Sequence, residues 1–219
     1  LSPSNGPHSG GTKVAVSLPY ENDVWACRFG THVIKAAPSN ERNIFLCVSP
    51  DSANIGLVDF AILDSQYSNM GAIQVLFGYY RQPIANSVTP SEVFVHSHTV
   101  LTIVGRNLLQ NLPLTASMSE YATVCTVLTD ALAHCTFNPH IYTGTFRLRL
   151  SFNKMDWADS TFDIEVSISA RLDAIFPSTI AALGGVVTIS GSGFGKFTPS
   201  WCFLGDGSRG VAVSFNHSS

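Results

Sequence analysis

The sequence predicts an all-β protein built of tandem β-sandwiches, and three observations lead to this fold class. One motif recurs at a constant spacing, apolar and polar residues alternate along many short segments, and no segment has a convincing helical periodicity. The chain has 219 residues, of which 45% are hydrophobic, and a mean hydropathy of +0.22. This composition supports packed cores and rules out a mainly disordered chain.

The recurring motif begins at a proline. Pro3, Pro90 and Pro177 are each separated by 87 residues, and a turn leading into an alternating segment follows each of them. The three segments are Gly10-Gly11-Thr12-Lys13-Val14-Ala15-Val16-Ser17, Thr99-Val100-Leu101-Thr102-Ile103-Val104-Gly105 and Gly184-Gly185-Val186-Val187-Thr188-Ile189-Ser190-Gly191. The interval predicts domains at residues 1–82 and 83–170 and a partial third domain at 171–219.

Alternation with period two predicts half-buried antiparallel strands in the first two domains. The apolar members that share a face are Phe146, Leu148, Leu150 and Phe152; Phe162, Ile164, Val166 and Ile168; Val58, Phe60 and Ile62; and Ile73, Val75, Phe77 and Tyr79. Short strands with turn residues about every ten positions, in units of this length, are typical of immunoglobulin-like sandwiches.

The third unit carries the most complete form of the motif. Pro177 to Gly191, followed by Ser192-Gly193-Phe194-Gly195, resembles the IPT/TIG domain, an immunoglobulin-like module of plexins and some transcription factors. The first unit has Leu18 where a glycine should end the strand, and the second has Ser97-His98-Thr99 in place of the double glycine. The resemblance spans the whole chain. It implies tandem immunoglobulin-like domains that serve as spacers in large cell-surface receptors.

The five cysteines sort by unit. Cys27 and Cys47 lie in the first unit, Cys125 and Cys135 in the second, and we expect one disulfide in each. Two structural disulfides imply an oxidising compartment, so we expect an extracellular or cell-surface protein. Cys202 aligns with Cys27, and its expected partner lies beyond Ser219. A buried free thiol and an interchain disulfide are the alternatives for Cys202.

Charge and hydropathy exclude several classes of partner. Twelve Lys and Arg against fifteen Asp and Glu give a net charge of −3 without a basic run, which disfavours nucleic-acid binding. The longest apolar stretches, such as Ile73 to Tyr80, are too short to cross a bilayer. Only 12% of residues are charged, whereas 26 are Ser and 16 are Thr, so the polar surface consists mostly of hydroxyl groups.

No residue pattern predicts catalysis, a metal or a cofactor. His96 and His98 share one face of a predicted strand but lack a third ligand, and His134 beside Cys135 lacks the further ligands of a zinc site. The glycines from Gly191 to Gly195 are not followed by a helix, so they predict a tight turn and not a phosphate loop. Without a nucleophile or paired-carboxylate motif, we expect no enzymatic activity.

Aspartates and tryptophans offer further candidate positions. Asp156, Asp159 and Asp163 lack the spacing of a calcium loop and predict a hairpin turn beside Asn153 and Trp157. Trp25 and Trp201 recur at equivalent positions in the first and third units, which favours core packing beside the cysteines over a sugar platform that would also include Trp157.

These observations predict a non-enzymatic extracellular structural repeat protein. Short linkers at Tyr80–Gln82 and Ala170–Asp173 indicate a stiff rod, in which Tyr80 and Arg81 either fix the angle between domains or merely cap a strand end. We expect a self-assembling fibre or filament subunit, joined to its copies through domain ends and strand edges. The alternative is a spacer or ligand-binding ectodomain of a receptor or adhesin. Asn216 fits the acceptor triplet for an N-linked glycan, and the abundant hydroxyls allow O-linked ones.

Overall fold

The computed structural model is all-β, which confirms the predicted fold class. Every regular element in the described part of the chain is a strand. The structure describes residues 1–18, 24–69, 75–95, 97–138, 143–169, 171–181, 183–192 and 194 with their side chains, and residues 201–203 and 209–211 as strands alone. The chain divides into two compact units, Leu1–Val166 and Ser167–Ser219. From here on, the first and second units are these two, and the three stretches that begin near the motif prolines are called repeats.

The first unit begins with a sandwich of eight strands. These are β1 (Asn5–Pro7), β2 (Lys13–Ser17), β3 (Ala26–Phe29), β4 (His32–Lys35), β5 (Ala37–Pro38), β6 (Ile44–Val48), β7 (Gly56–Leu63) and β8 (Val75–Tyr80). They form a five-stranded sheet in the order β1-β8-β7-β3-β4 and a three-stranded sheet in the order β2-β6-β5. β1 is parallel to β8, and the other pairings are antiparallel.

A second sandwich completes the first unit. Its strands are β9 (Ile84–Thr89), β10 (Glu92–Phe94), β11 (Thr99–Arg106), β12 (Thr115–Met118), β13 (Tyr121–Val124), β14 (Thr126–Thr129), β15 (Leu132–Phe137), β16 (Gly144–Ser151) and β17 (Ala158–Ser167). They form sheets in the orders β10-β17-β16-β12-β13 and β14-β15-β11-β9. Adding nine to each strand number of the first sandwich gives the order of the second, with β9 as an additional edge strand.

Each sandwich has its own hydrophobic core, formed by the alternating residues. The first core extends from Val14 to Tyr79 and contains Phe29 and Phe77, whose rings meet edge to face with centroids 5.0 Å apart. The second core extends from Tyr80 to Val166. Leu148, Leu150 and Ile164 are fully buried in it, because the polar residues between them point away from the sandwich interior. The domain boundaries after residues 82 and 170 stay predictions.

The three motif prolines share a local arrangement. A cis peptide bond precedes each of them. The residue before the proline pairs with a residue 12 or 13 positions further along the chain: Ser2 with Ala15, Thr89 with Thr102, and Phe176 with Thr188. The same short strand pairing therefore lies at the start of all three predicted repeats.

The second unit contains two strand pairs in its described part. β18 (Arg171–Phe176) pairs with β19 (Thr188–Ser192), and β20 (Trp201–Phe203) pairs with β21 (Arg209–Val211), both antiparallel. Large apolar side chains of this unit are exposed: Phe176 is 76% accessible to solvent and Val186 is 84% accessible.

The predicted linkers were placed incorrectly in part. Tyr80 is the last residue of β8, where it pairs with Pro7, and Arg171 to Asp173 belong to β18, where Arg171 pairs with Ser192. The connections are residues 81–83 and 168–170, of which Ala170 lies outside the described residues.

Candidate functional site

The two disulfides are present and occupy different places in their sandwiches. Cys27 on β3 is bonded to Cys47 on β6, with the Cα atoms 6.3 Å apart, and this bond joins the two sheets of the first sandwich. Cys125, which follows β13, is bonded to Cys135 on β15, with the Cα atoms 4.3 Å apart. Cys47 pairs across the sheet with Val14, and Cys135 pairs with Leu101 in the same way. One cysteine of each bond is therefore at an equivalent position, and its partner is not.

Several predicted positions lie outside the described residues. These are His96, Gly193, Gly195 and Asn216, together with the side chains of Cys202 and Trp201, whose backbones belong to β20. His98 is exposed, and its Nε2 lies 3.4 Å from Nδ2 of Asn138. Gly191 and Ser192 belong to β19, so the first two residues of the predicted glycine turn are in a strand.

Several long-range contacts meet at the junction between the two sandwiches of the first unit. Tyr80 ends a strand of the first sandwich, yet its ring is only 2% exposed and lies in the core of the second. It meets the ring of Phe152 edge to face, with centroids 5.0 Å apart. The sequence allows two roles for Tyr80, fixing the junction or capping a strand end. Its burial in the second core favours the first role.

Polar contacts surround this aromatic pair. The hydroxyl of Thr12 donates a hydrogen bond to Oδ2 of Asp156 at 2.7 Å, although 144 residues separate them. The side-chain amide of Asn153 donates to the same oxygen at 2.7 Å and to the backbone carbonyl of Asn5 at 2.9 Å. Charge-assisted hydrogen bonds of this kind are among the stronger ones in proteins. Together they hold the β16–β17 turn of the second sandwich against β1 of the first.

The turn that supplies these groups is itself fixed. Oδ1 of Asn153 accepts hydrogen bonds from the backbone amides of Met155 at 3.0 Å and Asp156 at 2.8 Å, and Oγ of Ser151 accepts one from the amide of Lys154 at 2.9 Å. Side chains that bond their own backbone in this way set the path of a turn. Asp156 is therefore held in position to meet Thr12, and the hairpin turn also serves as a junction element. The prediction that Asp159 and Asp163 mark this turn as well is wrong, because both belong to β17.

Burial changes the proton affinity of the two adjacent tyrosines. Burial raises the pKa of Tyr79 to about 12, and the nearby carboxylate of Asp51 adds to the shift. Burial also raises the pKa of Tyr80, with a further contribution from Asp156. The hydroxyl of Tyr79 donates to the backbone carbonyl of Pro50 at 3.0 Å, whereas the buried hydroxyl of Tyr80 has no hydrogen-bond partner among the residues that the structure describes.

The prediction that Trp25 packs in a core is wrong. Trp25 is 43% exposed, because it precedes β3 and its backbone bonds Leu63 and Ala36 at the end of the sheet. The ammonium of Lys35 lies 5.0 Å from the centroid of its ring, and its indole nitrogen donates to the hydroxyl of Tyr67 at 3.4 Å. The first core contains Val14, Phe29 and Phe77 together with Cys27.

The remaining charged candidates form surface contacts and not a metal site. Asp163 pairs with Arg147 on the neighbouring strand and raises the pKa of its guanidinium through a hydrogen bond. Arg149, which lies opposite Asp159, places its guanidinium 5.4 Å from the centroid of the Trp157 ring. Within the part of the chain that the structure describes, no group of three or more His, Cys, Asp or Glu side chains could hold a metal ion. The same residues contain no helix suited to crossing a membrane.

Sequence reasoning missed the junction network. The local sequence places Thr12 only in a turn, and Asn153 and Asp156 only in a hairpin, because the residue that each of them contacts across the junction lies in the other sandwich. The one usable signal was the Tyr79-Tyr80 pair, since two consecutive large aromatic residues on a strand must point to opposite faces.

No family model and no curated protein matches this chain. Among solved structures it is similar to the full extracellular region of plexin A4, with 15% identity and a TM-score of 0.47 over 98% of this chain and 20% of that one. The chain thus spans about a fifth of that plexin's length.

Two bacterial surface proteins are also similar to it. The surface glycan-binding protein SGBP-B of the Bacteroides ovatus mixed-linkage glucan utilization locus has 14% identity and a TM-score of 0.32, over 74% of this chain and 43% of that one. The Escherichia coli adhesin FdeC has 15% identity and a TM-score of 0.33, over 80% of this chain and 58% of that one.

Proposed function

We propose that this chain is a non-enzymatic extracellular structural module, of the IPT/TIG type, whose first two sandwiches act as one stiff body. The observation that carries the proposal is the junction. A buried ring of the first sandwich fills the core of the second, and Thr12 and Asn5 are hydrogen-bonded to the second sandwich's turn at Asp156 and Asn153. Domains that share core contacts move together, whereas domains joined by a bare linker move independently.

The disulfides support an extracellular location for this module. Both bonds lie in or beside a hydrophobic core, and structural disulfides persist in oxidising compartments. A stiff extracellular piece of this kind suits a spacer in a receptor or adhesin ectodomain, which holds a binding domain at a set distance from the cell surface.

Nitrogen-15 relaxation measured on the full chain tests the stiffness. We expect amides of residues 1–82 and of residues 83–166 to report one common rotational correlation time. In a variant with Asn153→Ala and Asp156→Ala, we expect two shorter and different times, because the polar contacts across the junction are lost. Asp163→Ala is the matched control, since Asp163 pairs with Arg147 away from the junction. Different correlation times in the wild-type chain would show that the sandwiches are not one body.

A second candidate function, a self-assembling filament subunit, is supported by the second unit. Leu172 and Phe176 on β18 are more than half exposed, and strands with such side chains favour pairing with another molecule. We expect filaments in negative-stain images at high concentration, and their loss in a Phe176→Ser variant. Leu57→Ser is the matched control, because Leu57 is 71% exposed on the first sandwich. Single particles at every concentration would contradict this candidate.

Glycosylation is a separate part of the proposal. Asn216 is the predicted N-linked site, and the serine and threonine hydroxyls are the predicted O-linked ones. The intact mass of the natively produced chain tests both, because a mass equal to that of the sequence with two disulfides excludes attached sugar.

A further inference from the structure

Two exposed aromatic side chains lie together at one end of the first sandwich. Trp25 is 43% exposed and Tyr67 is 61% exposed, and the indole nitrogen of Trp25 donates a hydrogen bond to the hydroxyl of Tyr67 at 3.4 Å. Both atoms lie at the edges of their rings, so this contact covers the face of neither ring. A single exposed aromatic residue needs no explanation, whereas two that are held together form a surface against which a ligand can stack. These two residues are here called the aromatic pair.

A hydrogen-bonded turn holds Tyr67 in place. Oδ1 of Asp64 accepts hydrogen bonds from the backbone amides of Gln66 at 2.8 Å and Ser68 at 2.9 Å. The backbone carbonyl of Asp64 accepts one from the amide of Tyr67 at 3.0 Å. A turn bonded in this way presents its residues in a set direction. Since the backbone of Trp25 is also hydrogen-bonded at the end of its sheet, both members of the aromatic pair are held in position by the fold.

The backbone of Tyr67 is strained. Its φ angle is 61°, in the left-handed region that an L-residue with a bulky side chain rarely adopts. The other non-glycine residues with positive φ in the described part of the chain are two asparagines, a serine and a lysine. Glycine would occupy this position without strain. A strained residue that keeps a large exposed ring is typical of sites that hold a ligand.

A positive charge accompanies the aromatic pair. The ammonium of Lys35 lies 5.0 Å from the centroid of the Trp25 ring and so covers one face of the indole. No carboxylate among the described residues forms an ion pair with Lys35. Four exposed residues of the turn that carries Tyr67 are uncharged and polar: Ser65, Gln66, Ser68 and Asn69. The site therefore combines two rings, several neutral polar groups and one ammonium group.

An acidic sugar has the groups that fit this site. In a pyranose ring with equatorial substituents, as in glucuronic acid, the C–H bonds point to the two faces and the hydroxyls surround the rim. Such a face stacks against an aromatic ring, while the rim bonds to polar groups such as the hydroxyl of Tyr67, which both donates and accepts. The carboxylate of the sugar accepts a charge-assisted hydrogen bond from the ammonium of Lys35. We propose that Trp25, Lys35 and Tyr67 bind one uronic-acid residue of an acidic saccharide.

Other ligand classes fit these groups less well. A quaternary ammonium group binds against aromatic rings, but Lys35 would repel it. A nucleic acid gains its affinity from many phosphate contacts, and a single ammonium offers one. A neutral sugar can stack on the aromatic pair, but it leaves the ammonium without a partner. The proposal adds a binding site to the structural module and does not depend on the stiffness of its junction.

Titration of the full nitrogen-15-labelled chain with methyl β-D-glucuronide tests the proposal. A site of two rings and one ammonium binds weakly, so we expect a dissociation constant of about 10⁻³ to 10⁻² M and saturation near about 0.1 M sugar. The readout is the indole N–H signal of Trp25, which a Trp25→Phe variant identifies among the three tryptophans. We expect this signal to shift and that of Trp157, whose ring also lies beside a cationic group, to stay in place. An unshifted Trp25 signal, or equal shifts of both signals, would overturn the proposal.

Methyl β-D-glucoside separates an acidic sugar from a neutral one, because it has the same ring without the carboxylate. We expect it to bind the wild type at least threefold more weakly than the glucuronide, and we expect Lys35→Gln to remove this difference. Lys13→Gln is the matched control, because Lys13 is an exposed lysine on β2 of the same sandwich. Equal binding of the two sugars to the wild type, or a difference that persists in Lys35→Gln, would contradict the proposal.

A Tyr67→Gly variant separates sugar binding from folding. Glycine relieves the strain of the positive φ, so we expect the melting temperature of this variant to equal or exceed that of the wild type. We expect it to bind the glucuronide at least threefold more weakly, because one ring of the aromatic pair is lost. Wild-type affinity in Tyr67→Gly would rule the proposal out, whatever the stability of the variant. The stiffness of the junction is measured separately, so its failure would leave this result unchanged.

Discussion

The ring of Tyr80 meets the ring of Phe152 edge to face, with an interplanar angle of 79°, in the core of the second sandwich. Its neighbour Tyr79 points the other way and meets Phe77 in the first core, with centroids 5.1 Å apart. Two consecutive residues of one strand therefore stabilise two different cores. Their hydroxyl groups differ too, since within the described part of the chain that of Tyr79 has a hydrogen-bond partner and that of Tyr80 has none.

We expect opposite effects when each hydroxyl is removed. Tyr79→Phe loses a hydrogen bond to the carbonyl of Pro50, which should lower the free energy of unfolding by about 1 kcal/mol. Tyr80→Phe removes a buried hydroxyl to which no described residue is hydrogen-bonded, which should leave the free energy of unfolding unchanged or raise it by up to about 1 kcal/mol. Urea denaturation of the two variants measures both effects. Equal losses would show that the hydroxyl of Tyr80 is bonded in solution.

The raised pKa values of the same tyrosines predict a loss of stability in alkaline solution. The pKa of Tyr79 is about 12 in the folded chain against an ordinary value of 10.0, and that of Tyr80 is also raised. Above pH 10 the unfolded chain releases these protons while the folded chain keeps them, so the free energy of unfolding falls as pH rises to about 12. Below pH 10 the contribution is fully present.

Urea denaturation at several pH values measures this slope. The double variant with Tyr79→Phe and Tyr80→Phe has neither ionisable group, so its free energy of unfolding should fall less steeply above pH 10. A double variant with the wild-type slope would assign the alkaline loss to other groups.

Gly105 should not tolerate a side chain. A Cβ atom at this position would overlap the backbone carbonyl oxygen of Ile84, which belongs to the paired strand β9 and cannot turn aside. We expect Gly105→Ala to lower the free energy of unfolding by about 2 kcal/mol. Gly78→Ala is the control, because a Cβ there has no neighbour closer than 3.5 Å. Thermal denaturation of both variants measures the difference, and an unaffected Gly105→Ala chain would contradict the close approach of β9.

The two disulfides should contribute unequal amounts. The cysteines are 20 residues apart in the first sandwich and 10 apart in the second. In the chain-entropy model each bond contributes about 3 kcal/mol, and doubling the loop adds about 0.6 kcal/mol. We expect replacement of Cys27 and Cys47 by Ala to cost more than replacement of Cys125 and Cys135. Guanidinium denaturation of the two double variants measures this, and the reverse order would indicate that strain or packing outweighs loop entropy.

Local patterns predicted the strands well, because period-two alternation is a property of neighbouring residues. The same applies to the glycine that ends the motif strand. Gly105 and Gly191 each lie against a backbone carbonyl of the first strand of their repeat, which is β9 for Gly105 and β18 for Gly191. Leu18 lies at the corresponding position of the first repeat. The strand pairing at the start of that repeat is the bridge between Ser2 and Ala15. The backbone amide of Leu18 donates a hydrogen bond to the carbonyl oxygen of Asn43 at 3.0 Å.

Long-range contacts could not be predicted in the same way. The hydrogen bond from Thr12 to Asp156 joins residues in different sandwiches, and neither local pattern contains information about the other. The error at Trp25 has a related cause. The repeat places Trp25 beside the cysteine. The residue nevertheless precedes β3, and its side chain is exposed to solvent. The IPT/TIG assignment stays a prediction.

The burial of Tyr80 has a consequence for cutting the chain into pieces. A fragment that starts at residue 83 would lack a ring that the second sandwich needs, and a fragment that stops at residue 82 would present that ring to water. Recombination that joined different genes between residues 82 and 83 would damage both products. Expression trials should therefore keep residues 1–167, which contain both sandwiches to the end of β17, in one piece.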